Sequence, residues 1–251
     1  MIAGAVTVGF LHPGQWQSCF GNSLNELMFY DATMYQRIVG NPQHHYGLMG
    51  NETTATQIPA GRNKLAATVL DESESEWLFI VDADMGFAPD TVERLISSAD
   101  KMIRPVVGGL AFANKSDGSG PFYARRYRAV PTLYQMYETD DEVGFVPMFD
   151  YPRDRVVKVD ATGCACLLVH RSALRKIRDA HGDVWFDPIR LPKGKDGFTQ
   201  FGEDMSFSLR LAACGIPLYV DPRVKTTHDK GGVFLDEETY DLQQAFRAMT
   251  S

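Results

Sequence analysis

Trp77-Leu78-Phe79-Ile80-Val81-Asp82-Ala83-Asp84 is the stretch whose reading decides the fold: five apolar residues that stop abruptly at two acids. An apolar run of that length predicts a buried strand. On extended backbone Asp82 and Asp84 point the same way, so two carboxylates leave the strand end together. Two such anions repel unless a cation lies between them. A hard divalent ion such as Mn²⁺ or Mg²⁺, itself clamped to a diphosphate, is the natural one. The plainer alternative is a pair of solvated loop acids or a helix cap.

Outward from this run, strand and helix signals alternate. Upstream, residues 5–11 predict a strand stopped by His12-Pro13-Gly14, residues 24–38 a helix, residues 45–49 a second strand and residues 61–70 a second helix. Downstream, Pro89 opens a helix in the favoured first turn, with Asp90 and Glu93 near its positive end, and residues 106–112 predict another strand. Strands separated by helices predict an α/β sandwich, a mostly parallel central sheet with helices on both faces. Such sheets bind ligands beyond the carboxyl ends of their strands, which puts His12-Pro13-Gly14 and Asp82-Ala83-Asp84 on one rim.

Residues 114–158 change character, and their few apolar residues predict a small antiparallel elaboration with strands near 132–137 and 156–159. A strand over 165–169, a helix over 172–178, a mobile loop over 190–197, an amphipathic helix over 201–214 closed by Gly215, a strand over 216–220 and a helix over 235–249 complete the expectation. The chain reads as one domain, 1–251, with a ligand-binding half at 1–112, a catalytic half at 113–235 and a terminal helix at 236–251.

The chain's 251 residues are 44% hydrophobic, enough for a core, and its net charge of -7 excludes a protein that coats nucleic acid. Its N-terminal apolar run, broken at His12-Pro13-Gly14, is too short for a leader or a membrane span, and no other segment is long enough. Cys19, Cys164, Cys166 and Cys214 lack metal-ligand spacing. Cys164 and Cys166, two apart in an apolar stretch, are expected on one strand face. Buried thiols predict a reducing compartment, the cytoplasm.

Two further stretches carry chemistry. Phe201-Gly202-Glu203-Asp204 opens the amphipathic helix. Its carboxylates suit the helix dipole, and a carboxylate fixed there can also take a proton from an attacking hydroxyl. His228 follows a strand and precedes Asp229-Lys230-Gly231-Gly232, a loop suited to closing over phosphates. Mn²⁺ accepts imidazole beside carboxylate oxygen.

Taken in order, these stretches resemble the family 2-like glycosyltransferases of the GT-A fold. Ala60-Gly61-Arg62-Asn63-Lys64-Leu65-Ala66 is similar to the helix before that family's D-x-D strand. Asp160-Ala161-Thr162-Gly163 with Cys166-Leu167-Leu168-Val169 is similar to its acceptor-side strand. Gly202-Glu203-Asp204 with Leu209-Arg210-Leu211, and Tyr219-Val220-Asp221-Pro222 with His228, are similar to its E-D helix and the strand beyond. The resemblance implies a Mn²⁺- or Mg²⁺-dependent hexosyltransferase that moves a sugar from a nucleotide-diphosphate sugar to a hydroxyl of a sugar, lipid, protein or small-molecule acceptor. By it, Asp84 and His228 hold the metal, and Asp82 contacts the ribose or a metal-bound water. Arg62 and the His12-Pro13-Gly14 turn lie near the nucleoside, and Lys230 closes on phosphate. Asp204 is the base of an inverting displacement, and Glu203 meets acceptor hydroxyls. The segment 114–158, with Tyr123, Arg125, Arg126, Arg128 and Tyr134, shapes an acceptor site or is a solvated ribbon. The rivals are a haloacid-dehalogenase-type phosphatase with Asp82 as nucleophile, and a GT-A relic that binds carbohydrate without turnover.

Overall fold

Alternate residues of the strand at 75–81 bury into two different cores: Leu78 and Ile80 into one, and Trp77, Phe79 and Val81 into the other. That period of two is what a strand covered on both faces requires. In this computed structural model the described residues are 1–12, 14–39, 48–52, 57–115, 127–194 and 197–250. The first half contains β1 (Ile2–His12), α1 (Ser18–Met34), β2 (Leu48–Glu52), α2 (Ile58–Asp71), β3 (Ser75–Val81), β4 (Met85–Phe87), α3 (Thr91–Ser98), β5 (Val106–Leu110) and β6 (Phe112–Asn114). The second contains β7 (Ala129–Pro131), β8 (Leu133–Glu138), β9 (Val143–Pro147), β10 (Val157–Val159), β11 (Ala161–Thr162), β12 (Cys166–His170), α4 (Arg171–His181), β13 (Arg190–Lys193), β14 (Gly197–Gln200), α5 (Glu203–Ala213), β15 (Leu218–Asp229), β16 (Phe234–Leu235) and α6 (Glu237–Thr250).

The central sheet runs β10-β15-β5-β12-β3-β1-β2, and β4 and β16 attach to the far end of β15. β1, β2, β3, β5 and β15 share one direction, and β12 and β10 oppose it. One face buries Leu65 of α2, Leu174 of α4 and Leu211 of α5. The other buries Leu27 of α1 and Leu95 of α3. This is the expected mostly parallel α/β sandwich with helices on both faces. Gly9 of β1 lets α2 approach, because a Cβ there would lie 3.2 Å from a Leu65 methyl. The small sheet β11-β8-β9 is the antiparallel elaboration.

The structure corrects several local expectations. α1 starts at Ser18 and ends at Met34, where Asp31 accepts hydrogen bonds from the backbone N–H groups of Arg37 and Ile38, at 3.0 and 2.9 Å, and closes the helix. Within the stretch expected as a loop at 190–197, Arg190–Lys193 form β13, which pairs with β14, and Arg190 stacks on Phe198 and bonds Gln200; residues 195–196 lie outside the described residues. β15 continues to Asp229 rather than stopping at 220, because its far end pairs with β4 and β16. Cys164 and Cys166 do not share a face. β12 begins only at Cys166, so Cys164 lies before the strand and is buried in the opposite core. Of the expected strand at 45–49, residues 45–47 lie outside the described residues, as do Pro13, Tyr123, Arg125 and Arg126.

Candidate active site

β3 ends at Val81, and Asp82-Ala83-Asp84 forms a turn before β4. Three neighbours pin its backbone. Asp82 N–H donates to the carbonyl of Ala165 before β12 (3.2 Å), Gln17 at the head of α1 donates to the carbonyl of Ala83 (2.9 Å), and Asp229 of β15 donates to that of Asp84 (2.9 Å). Because the backbone turns here, the two acids find different partners instead of pointing together.

Asp84 faces β15. The antiparallel register sets His228 opposite Met85, one residue past Asp84. His228 Nε2 lies 3.1 Å from Asp84 Oδ2, and Lys230 Nζ lies 2.8 Å from the same oxygen. His228 Nδ1 is 2.8 Å from the carbonyl of Phe112. A carbonyl only accepts, so Nδ1 carries the proton, and Nε2 is the nitrogen turned to the carboxylate. A lone pair facing a carboxylate at that distance needs a cation between them, a proton or a metal ion. Burial alone would raise Asp84, but the hydrogen bonds and charges of His228 and Lys230 prevail and hold it at about 2. It is therefore ionised across the physiological range.

Asp82 faces inward to Arg62 of α2. The Arg62 guanidinium is 3% exposed, and its Nη2 donates to Asp82 Oδ1 at 2.8 Å. Its Nη1 donates to Glu203 Oε1 at 3.3 Å and to Asp204 Oδ1. Burial works against the Arg62 charge, but Asp204 and Asp82 more than restore it. Burial pushes the Glu203 carboxyl up and the neighbouring Asp204 charge adds to this, with Arg62 offsetting only part. Beside Asp204 lie Cys164 and Tyr134. Burial first, then the Asp204 charge, raises both, so a neutral thiol and a neutral phenol stand next to the carboxylate.

His12, Arg62, Asp82, Asp84, Glu203, Asp204 and Lys230 line one cavity of about 520 Å³. His228 stands behind Asp84. Gly14 donates its N–H to His12 Nδ1 at 3.2 Å. Trp16 meets His12 edge-on at 5.8 Å between ring centres, so the β1 end of the cavity is aromatic and the opposite end charged. Tyr134, expected to shape an acceptor site, comes to Asp204 from β8, whereas Cys164, just before β12, was expected only as a buried thiol, because its contact with α5 is long-range. Asp160 instead accepts the Met136 N–H at 2.8 Å and pins β8, while Lys193 pairs with Glu142 at 2.6 Å. Arg128 lies 5.5 Å over the Phe149 ring. A larger hollow, about 940 Å³, lies between β4, β15 and α6 and shares none of these seven residues. The carboxyl-end rule for parallel sheets favours the smaller cavity as the functional one.

The donor set suits a borderline divalent ion: one imidazole nitrogen and one carboxylate oxygen, with ligand oxygens to complete the shell. Asp82 is engaged by Arg62, and among the described residues no three His, Cys, Asp or Glu side chains converge as a metal-holding group.

The mostly parallel sheet, with β12 and β10 reversed and helices on both faces, is a GT-A-like fold. The chain is similar in structure to GalNAc-T7, a protein solved with UDP, GalNAc and Mn²⁺, at a TM-score of 0.55 and 12% identity. That match covers 91% of this chain but only 44% of GalNAc-T7. It is also similar to A197 from STIV, at a TM-score of 0.54 and 12% identity, over 94% of this chain and 91% of that one. No family model and no curated protein matches the sequence. Among the described residues no helix is long and apolar enough to cross a membrane.

Proposed function

We propose that the protein is a metal-dependent glycosyltransferase of hexosyl type, moving a sugar from a nucleotide-diphosphate sugar to an acceptor hydroxyl with inversion. The observation that carries this reading is the cavity itself, in which Asp84 with Lys230 and Asp204 with Arg62 face one volume that His12 and Trp16 also line. The nucleoside lies against His12, Gly14 and Trp16. Asp84 and His228 hold Mn²⁺ or Mg²⁺, which when bound neutralises charge on the departing diphosphate. Lys230 reaches the same phosphates. Asp82 contacts the ribose or a water on the metal. Arg62 lines the same cavity, but its hydrogen bonds run to carboxylates rather than outward.

Asp204 takes the proton as the acceptor hydroxyl attacks the anomeric carbon. The new carbon–oxygen bond forms on the face opposite the breaking bond to the diphosphate, which leaves with that electron pair. Glu203 orients acceptor hydroxyls, and the acceptor is a sugar, lipid, protein or small molecule. A phosphatase with Asp82 as nucleophile is less well supported, because Arg62 engages that carboxylate. We read the chain as one catalytic domain with a donor half at 1–112, an acceptor half at 113–235 and a terminal helix at 236–251. Four free cysteines fit a reducing cytoplasm.

A thermal-shift and calorimetric screen of UDP, GDP, CDP and dTDP, each with and without Mn²⁺, tests the reading. Metal-dependent stabilisation by one of them is the expected result and names the donor base. No response to any of the four sinks the reading.

A further inference from the structure

We infer that Arg62 is the positioning residue of this site: one buried guanidinium that ties Asp82, on the turn after β3, to the base Asp204, on α5, and so sets their spacing. The inference rests on the transfer reading above, and on geometry that reading does not use.

The three carboxylates come from two separate elements. Asp82 lies one residue beyond the last residue of β3, on a turn. Glu203 and Asp204 stand in the first turn of α5. Arg62 comes from a third element, α2, and reaches all of them: Nη2 to Asp82, Nη1 to Glu203 and Asp204. A planar fork can hold two carboxylates in fixed directions, which an ammonium on a flexible stem cannot do.

The fork is itself held. The Phe186 ring lies 5.9 Å from the guanidinium carbon, and Phe186 stacks at 4.5 Å on Phe207 of α5, the helix that carries the base. Arg62 Nε is buried without a partner, a cost the fold carries while both other nitrogens serve the site. Arg62 holds Asp204 by Oδ1, and Oδ2 lies against Gly163, where a Cβ would meet it at an ordinary contact distance of 3.8 Å.

Two consequences follow. Without the fork three carboxylates repel one another and the base loses its aim, so chemistry suffers more than donor binding. A lysine, able to serve one arm at most, restores only part.

The test uses purified full chain, wild type beside Arg62→Lys and Arg62→Gln. Calorimetry with UDP, GDP, CDP and dTDP plus Mn²⁺ gives Kd. Release of the responding diphosphate from its sugar nucleotide, with water as acceptor, gives kcat. In both variants Kd should change by less than about 5-fold while kcat falls about 100-fold or more in Arg62→Gln, with partial recovery in Arg62→Lys. A kcat near wild type in Arg62→Gln overturns the inference, and so does a loss confined to Kd.

If wild type binds none of the four diphosphates, the transfer reading fails first, and the fork is then judged by thermal unfolding. Arg62→Gln should lower Tm, and adding Asp82→Asn and Asp204→Asn should restore most of the loss, because the repelling charges are gone. No restoration in the triple variant overturns the fork. Should Arg62→Gln fail to fold alone, soluble triple variant supports it and insoluble triple variant overturns it.

Discussion

The two ends of the cavity solve the problem of half-buried acid in opposite ways. At one end a single carboxylate oxygen of Asp84 meets two nitrogen groups, His228 and Lys230, and Asp84 is held at about 2. At the other end one guanidinium serves Asp82, Glu203 and Asp204, and Glu203 is pushed up. The first end is built on the long strand β15 and its glycine turn, with Lys230 partly exposed. The second is built where α2 meets α5, around a guanidinium that water hardly reaches. An end where an ammonium and an imidazole meet one carboxylate suits a metal ion with an anionic ligand. An end with spare carboxylates is ready to accept a proton. Two such ends in one volume suit a reaction in which one bond to phosphate breaks while a hydroxyl loses its hydrogen.

The sharpest way to break this comparison is Asp204→Asn. The amide keeps the shape and an oxygen for Arg62 but cannot take a proton. Donor binding should survive while turnover falls about 10²- to 10⁴-fold, read by single-turnover kinetics. Near-normal turnover would place the base elsewhere. The opposite end is broken by Asp84→Ala or His228→Ala. Mn²⁺-dependent diphosphate binding should weaken roughly 100-fold or more by calorimetry, with the far-ultraviolet circular dichroism unchanged. Equal binding with and without Mn²⁺ in wild type would remove the metal from the reading.

A smaller effect sharpens the contrast. Lys230 lies on the carboxylate oxygen that a divalent ion would take. Lys230→Met should therefore bind Mn²⁺ alone several-fold more tightly, read from the free Mn²⁺ resonance signal, while binding the Mn²⁺ diphosphate less tightly. Changes of the same sign in both would show that Lys230 does not compete for Asp84.

Much of this was legible before any coordinates, and the parts that were not share a cause. Residues 77–81 read as a doubly buried strand because an uninterrupted apolar run leaves no face for water, and β3 is buried throughout. His12, Asp82, Asp84, Glu203, Asp204 and Lys230 could be named from local pattern and Arg62 from the family resemblance, and all seven line one cavity. How they pair could not be read. Arg62 meets Asp82 across 20 residues, but Glu203 and Asp204 across 141 and 142. Asp82 and Asp84 were expected side by side on strand geometry, and it is the turn after Val81, pinned by three distant backbone groups, that separates them. The far half of β15 was missed for the same reason. Its residues alternate weakly, and their strand character comes from β4 and β16 as partners.

The smallest expected effect tests the carboxylate-rich end by relieving it. The Glu203 carboxyl has a folded-state affinity for protons above its ordinary value, from burial first and then from the Asp204 charge. The sign follows from linkage. A raised carboxyl gives stability that is fully present below its unfolded-state value, near 4.3, and that is lost as pH rises through the higher folded-state value. At neutral pH the ionised Glu203 is therefore a net burden on the ligand-free fold. Glu203→Gln fills the same space without the charge, so it should raise Tm by a few degrees at pH 7. The gain should shrink as pH falls toward 4, where wild type is protonated as well. If Glu203→Gln instead lowers Tm at pH 7, the Arg62 bond outweighs burial and repulsion, and this end is balanced rather than overcharged. A gain in stability together with a loss of turnover would give the comparison its meaning: the excess of acid around Arg62 is kept because the reaction needs it, at the expense of the fold that holds it.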